Sequence, residues 1–168
     1  MKLTIMLKFV LVLVMLLTLN LKAQTVKQIL GKIDEEKLKF IKENYNWNEE
    51  NIIVINFLQP ISNCHYDAYE NLSIPSKWWT NFYSKIDLTN VANRFVYSDA
   101  NAARRIIDSK IYLTDEKNFI LNNFFSKEPY CHGVLVINNF GFYEMLSREY
   151  SIKEVIYFIK ILKNKTID

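Results

Sequence analysis

Hydrophobic residues fall into short β-branched runs separated by polar, helix-forming stretches. The clearest run is Ile52–Leu58, bounded by Asn51 and Pro60, which is typical of a central strand buried on both faces. Three further runs have strand character: Arg94–Tyr97, Gly133–Ile137 and Phe142–Leu146. Asn138-Asn139-Phe140-Gly141 between the last two runs is a hairpin turn signal. The pattern predicts a sheet of about four strands.

Stretches with apolar residues at helical spacing predict the helices. The first is expected from Val26 to about Tyr45, where Ile33, Phe40 and Ile41 form a stripe. The other predicted helices are Cys64 to Leu72, Ser76 through Tyr83, Ala100 to about Asp108, Thr114 to about Phe125, and a last helix opened by a Ser151–Glu154 capping box. Helices alternating with strands predict an α/β fold, with a mixed sheet flanked by helices.

Residues 1–23 have the pattern of a secretory signal peptide. Lys2 and Lys8 accompany an apolar run of eleven residues, Phe9 to Leu19, which is shorter than the roughly 20 residues needed to span a bilayer as a helix. Ala23 is a small residue at the expected cleavage site. We therefore expect a periplasmic or secreted protein without an integral membrane domain after cleavage. An uncleaved N-terminal anchor is the alternative.

Cleavage would also change the net charge. The chain has 21 Lys and Arg against 18 Asp and Glu, and the predicted signal peptide holds three of the lysines and no acid. The remaining chain is therefore balanced, at 18 basic and 18 acidic residues. Because nucleic-acid binders carry a basic excess, nucleic acid is not an expected partner, and neither is an anionic membrane.

Scarce residue types exclude several kinds of active site. The three glycines, Gly31, Gly133 and Gly141, are too far apart for a P-loop, a dinucleotide fingerprint or a nucleophile elbow. Two histidines at separate places exclude a zincin helix. The sequence therefore indicates no cofactor.

The first strand and its continuation resemble the thioredoxin-like superfamily, including periplasmic thiol–disulfide reductases. Ile55-Asn56-Phe57-Leu58 is followed by a short loop and Cys64, where the family has an Asn-Phe-Trp-like strand end and a Cys-x-x-Cys helix start. Val136 to Gly141 is similar to the strand, turn and glycine that follow the family's cis-proline. The resemblance spans about Asn51 to Leu162. It implies a thioredoxin-like domain over 51–168, preceded by an N-terminal helical extension over 24–50.

The active-site motif departs from the family pattern. Aligning Phe57 with the family's strand phenylalanine puts Ser62 at the position of the nucleophilic cysteine and His65 at the second cysteine position. Cys64 lies one residue short of that second position. The motif therefore keeps one cysteine instead of two, and the spacing also fails to match a peroxiredoxin.

A second Cys-His dipeptide falls at the other half of the family's site. Counting back from Gly141 puts Cys131-His132 over the residue and cis-proline that face the helix start, and Pro129 is too early to be that proline. The resemblance thus implies that Cys64 and Cys131 lie close together. A disulfide between them would close a loop of about 67 residues. In the chain-entropy model this closure would stabilise the fold by roughly 4 kcal/mol.

Three interpretations of these dipeptides are open. They form a disulfide or redox-active pair, a tetrahedral zinc set, or two inert buried thiols with nearby histidines. Zinc is disfavoured because adjacent side chains on an extended chain point to opposite faces. No metal is therefore expected.

The resemblance implies thiol–disulfide exchange with a protein thiol or disulfide as partner. Cys64 would react, Cys131 would be its partner, and His65 and His132 would tune them, with Ser62 at the lost nucleophile position. The alternative is an inactive binding or scaffold module with a structural disulfide. Separately, the adjacent Trp78 and Trp79 cannot both face one direction on a helix, so one is expected to be exposed.

Overall fold

Residues 29–59, 73–125 and 130–166 are described by a computed structural model, and they form one mixed sheet with helices on both faces. The strands are β1 (Ile29–Lys32), β2 (Ile52–Leu58), β3 (Val91–Tyr97), β4 (Tyr112–Thr114), β5 (His132–Asn138) and β6 (Phe142–Leu146). The α-helices are α1 (Glu35–Asn44), α2 (Ser73–Tyr83), α3 (Ala100–Ala103) and α4 (Ile152–Lys163). A 3-10 helix (Glu116–Asn118) and a π-helix (Leu121–Phe125) lie between β4 and β5.

The sheet has the strand order β1-β6-β5-β2-β3-β4. β2, β3 and β4 are parallel to one another, whereas β5, β6 and β1 are joined through antiparallel pairs. The predicted α/β class with a mixed, helix-flanked sheet is confirmed. The prediction of about four strands was wrong, because the sheet also has two short edge strands, β1 and β4, of four and three residues.

Strand β2 separates two apolar cores. Ile52, Val54 and Leu58 belong to the core that is covered by α2 and α4. Their neighbours Ile53, Ile55 and Phe57 belong to the opposite core, which α1 and the π-helix cover. This alternation follows from the two-residue period of a strand. Because both faces are covered, the strand appears in the sequence as a continuous apolar run.

The predicted helix from Val26 was wrong over residues 29–32, which form β1. The helix α1 begins only after Asp34, whose carboxylate accepts the Lys37 backbone N–H at 2.8 Å. Gly31 disfavours a helix at this place, and Asp34 is a good N-cap residue. The strand itself depends on pairing with β6, more than a hundred residues away, with Leu30 opposite Glu144.

Three other helices differ from their predictions. The helix predicted from Ser76 is α2, whose described residues begin three positions earlier, at Ser73, and include Pro75. The helix α3 begins at Ala100, as predicted, and is capped by Asp99, but it ends at Ala103 and not near Asp108. The predicted helix from Thr114 is instead the end of β4, a 3-10 helix and a π-helix.

The hairpin and the last helix form as predicted. Gly141 closes the turn with a φ of 82°, and its N–H donates to the Asn138 carbonyl at 2.9 Å. The Asn138 side chain accepts the N–H groups of Phe140 and Phe142 and donates to the carbonyls of Leu162 and Lys165. The hairpin turn is therefore tied to the end of α4, whose N-terminus has the predicted Ser151–Glu154 capping box.

Two predicted segments lie outside the described residues. These are the signal peptide over 1–23 and the helix from Cys64 to Leu72. Among the helices that are described, none combines the length and the apolar character that a membrane span requires.

The strand β5 needs a glycine at its second residue. A Cβ atom on Gly133 would lie 2.6 Å from the Leu146 carbonyl oxygen and closer still to the ring of Phe125. The Phe125 ring cannot easily move aside because it stacks on Phe57, with 4.8 Å between ring centroids. Gly133 therefore permits the close approach of β5, β6 and the π-helix.

Replacing Gly133 with alanine is expected to lower the free energy of unfolding by about 3 kcal/mol, the upper end of the cost of overpacking. Gly31→Ala is the matched control. The three atoms nearest to its Cβ would all belong to the far end of Tyr143, a half-buried side chain that can rotate, so we expect a loss below about 1 kcal/mol. Urea unfolding of both variants tests this, and equal losses would contradict the packing assigned to Gly133.

Candidate functional site

Two of the five predicted site residues lie within the described chain. Cys131 immediately precedes β5, is half-buried and is disulfide-bonded. His132 is the first residue of β5. Ser62, Cys64 and His65 lie outside the described residues. Cys64 is the only other cysteine in the sequence.

Pairing between β2 and β5 brings Cys131 to the end of β2. The Gln59 N–H donates to the Cys131 carbonyl oxygen at 2.8 Å, and Leu58 pairs with His132 in the antiparallel ladder. Gln59 is the residue at which the chain leaves β2 towards the segment that contains Cys64. The backbone of Cys131 therefore lies directly beside Gln59, the last described residue before that segment.

The disulfide bears on the open interpretations of the Cys-His dipeptides. Zinc binds cysteine as a thiolate, so a disulfide-bonded Cys131 cannot be a zinc ligand in this state. An inert free thiol at Cys131 is likewise inconsistent with the bond. Across the described part of the chain, no group of three or more His, Cys, Asp and Glu side chains could hold a metal ion.

The imidazole of His132 borders a cluster of buried aromatic rings. Its centroid lies 6.3 Å from the Trp79 ring and 6.0 Å from the Tyr150 ring, with both rings nearly perpendicular to it. Trp79 and Tyr150 also stack on each other at 5.8 Å. Trp79 is 4% exposed, whereas Trp78 is 54% exposed, which confirms that one tryptophan of the pair faces outward.

Asn56 is a fully buried polar residue in the middle of β2. Its side-chain oxygen accepts hydrogen bonds from the hydroxyls of both Tyr83 and Tyr150, the latter at 2.6 Å. Its side-chain nitrogen donates to the Asn93 side-chain oxygen at 2.8 Å and to the Arg94 carbonyl at 2.9 Å. All four hydrogen-bonding positions of the amide are thus occupied.

The Asn56 network fixes the aromatic cluster next to His132. Tyr83 is on α2 and Tyr150 follows β6, so one side chain joins two separate elements to β2. Burial raises the pKa of Tyr83 well above its ordinary value, so its hydroxyl stays protonated and donates. The one signal for this network in the sequence is a polar Asn inside a β-branched run, since a buried amide requires partners.

Asp115, next to the start of the helix predicted from Thr114, is a second buried polar centre. Its carboxylate accepts the Tyr45 hydroxyl at 2.9 Å and the N–H groups of Ile120 and Leu121 at 2.8 and 2.9 Å. Burial raises the pKa of Asp115 despite these donors. Because it fastens the 3-10 and π-helical segment to α1, we assign Asp115 a structural role.

No protein-family model matches the chain, and no curated protein matches it significantly in sequence. Function is therefore inferred from the sheet topology and from the surroundings of Cys131.

Replacing Asn56 with alanine is expected to lower the free energy of unfolding by about 3 kcal/mol. The change leaves two buried hydroxyls without an acceptor, and each unsatisfied buried group costs about 1–3 kcal/mol. In a Tyr83→Phe/Tyr150→Phe background the same change should cost at least about 1 kcal/mol less, since no hydroxyl remains to be satisfied. Chemical denaturation of the four proteins measures this coupling. Equal costs in the two backgrounds would show that Asn56 does not hold the tyrosines.

Proposed function

We propose that this chain is an exported, thioredoxin-like protein that carries out thiol–disulfide exchange through Cys131 and Cys64. The observation that carries the proposal is the disulfide bond of Cys131, next to the residue at which the chain leaves β2. Cys64 follows in the segment that begins there, and it is the only cysteine in the sequence with which an intramolecular bond can form.

The order of the elements supports the thioredoxin-like part of the proposal. Strands β2 and β3 are parallel and joined by a connection that contains α2, and the hairpin β5–β6 pairs with β2 on its other side. α2 and α4 cover the same face, and α1 and the π-helix cover the other. A βαβ unit followed by a hairpin and a closing helix is the arrangement that the resemblance implies.

The same arrangement accounts for the position of the cysteines. In a thioredoxin-like fold, the loop after the first strand of the βαβ unit faces the loop before the hairpin. Here the chain leaves β2 at Gln59, and the Gln59 N–H donates to the carbonyl oxygen of Cys131, the residue that precedes β5. The described peptide bonds are all trans, so this chain has histidine in a trans peptide where the resemblance implies a cis-proline.

The proposed exchange begins from the disulfide form. A thiolate of a partner protein attacks the sulfur of Cys64, the bond to Cys131 breaks, and Cys131 leaves as a thiolate. A second partner thiolate attacks the mixed disulfide and releases Cys64 as a thiolate. The partner dithiol is thereby oxidised to a disulfide, and this chain gains the two electrons as two thiols after protonation. His65 and His132 would favour the thiolates when charged.

Export fits this chemistry. Disulfides persist in the periplasm and outside the cell but are rare where cytosolic reductants act. The pattern of residues 1–23 therefore agrees with a disulfide-bonded Cys131.

A binding module with a structural disulfide is the second candidate function. It is favoured by the way the backbone holds Cys131 in place. The Cys131 carbonyl accepts a hydrogen bond from the Gln59 N–H, and the next residue, His132, belongs to the β2–β5 ladder. The single cysteine of the Ser62–His65 motif also favours it. In this case the bond would fasten the segment after β2 to the sheet, and no exchange would occur.

The reduction potential of the disulfide separates the two candidates. Equilibration of the mature protein with thiol buffers, followed by trapping of free thiols, should give a value between about −270 and −120 mV for an exchange catalyst. A value below about −300 mV is typical of a structural disulfide and would overturn the exchange proposal. Oxidation of a dithiol substrate by the disulfide form should also be abolished in Cys64→Ser and Cys131→Ser; oxidation that persists in both variants would contradict a role for the cysteines.

A further inference from the structure

The outer face of α4 presents apolar side chains between lysines. Ile156 and Tyr157 are 43% and 50% exposed, although they stand on a helix whose other face is buried in the core. Lys153 and Lys160 are exposed on the same face, three or four residues before and after this pair. Residues at these spacings lie side by side on a helix. We call these four residues the α4 outer stripe.

A groove runs beside the stripe, between α4 and the turn that follows α2. The buried side chains of Ile86 and Ile159 line it together with Ile156. The polar side chains along it are Lys160, Lys163 and Asp87, with Asn164 at one end. The groove is therefore apolar at its base and mostly cationic at its margin.

The charges around the groove leave a net positive surface. The Asp87 carboxylate accepts the Thr89 N–H at 2.9 Å, and nearby Lys163 helps to lower its pKa. Within the described part of the chain, no ion pair includes Lys153 or Lys160. Glu154, the one acid on α4, is bonded to Arg148 and Ser151. The stripe thus combines exposed apolar groups with two uncompensated cations.

These charges indicate which kind of partner would fit the groove and the α4 outer stripe. Two copies of the chain packed symmetrically through α4 would bring one lysine stripe against another, which is unfavourable. Binding to a bilayer surface would bury only two apolar side chains, Ile156 and Tyr157, because the remaining apolar residues of α4 are already packed in or against the core. A peptide with carboxylates and spaced apolar side chains would instead satisfy both the groove and the lysines.

We infer that the α4 outer stripe and its groove are a docking surface for an acidic amphipathic segment of a partner protein. Apolar side chains of the segment would enter the groove over Ile86 and Ile159, and its carboxylates would pair with Lys153 and Lys160. This inference does not depend on the proposed exchange reaction. The groove reaches Asn164 at the C-terminal end of α4, whereas Tyr150, which contacts His132, precedes the N-terminal end.

Titration of a synthetic helical peptide of leucine and glutamate repeats into isotope-labelled mature protein tests the inference. NMR shift changes should concentrate on α4 and Ile86, and the affinity should fall as salt screens the charges. Lys153→Glu/Lys160→Glu should weaken binding at least tenfold. Lys110→Glu/Lys117→Glu changes the net charge equally at exposed positions elsewhere, and should change binding less than twofold.

Four results would overturn the inference. These are no binding of the peptide, equal binding of a leucine–lysine peptide, equal weakening by the two charge reversals, and binding of phosphatidylglycerol vesicles in place of the peptide. Thermal melts of the variants establish that they remain folded. Because the readout is binding, the outcome is independent of whether the disulfide exchanges.

Discussion

The pairing of β2 on both of its edges is the constraint on which the rest of the structure depends. The strand is hydrogen-bonded to β3 and to β5 and is buried on both faces. A slip of one residue in its register would turn the side chains of each core towards the other and is therefore strongly disfavoured. The same register places Gln59 beside Cys131, so the position of Cys131 at the end of β2 is a direct consequence of the pairing.

The one polar side chain inside β2 links this constraint to the candidate site. Asn56 can be buried because all the hydrogen bonds of its side chain are made within the protein. The partners are the hydroxyls of Tyr83 and Tyr150, the Asn93 side chain and the Arg94 carbonyl. A fully satisfied buried network restricts the conformations that its members can adopt. Through Tyr150 this restriction reaches the ring of His132 and hence the residue that follows Cys131. The site therefore has rigid surroundings on the side that the structure describes.

Local signals made much of the fold predictable from the sequence. The apolar run of β2, the turn at Gly141 and the capping box at Ser151 each lie within a few residues, and all three form as expected. The edge strand β4 was missed because three residues are too few to show a strand pattern, and β1 was missed because its partner β6 lies more than a hundred residues along the chain. The partners of Asn56 could not be predicted for the same reason, since Tyr150 is 94 residues away. Cys131 was predicted as a site residue from a family resemblance. The residues that lie beside it in the structure, Leu58 and Gln59 among them, are determined by the β2–β5 register.

The central claim is that β2 and β5 position Cys131 for a bond with Cys64 within one chain. Proteolytic digestion of the protein without reductant, followed by mass spectrometry, tests it most directly. We predict one cross-linked pair of peptides, one containing Cys64 and the other Cys131, from a protein that runs as a monomer on a non-reducing gel. Two thiols that are alkylated without reduction, or a cross-link between two chains, would contradict the account.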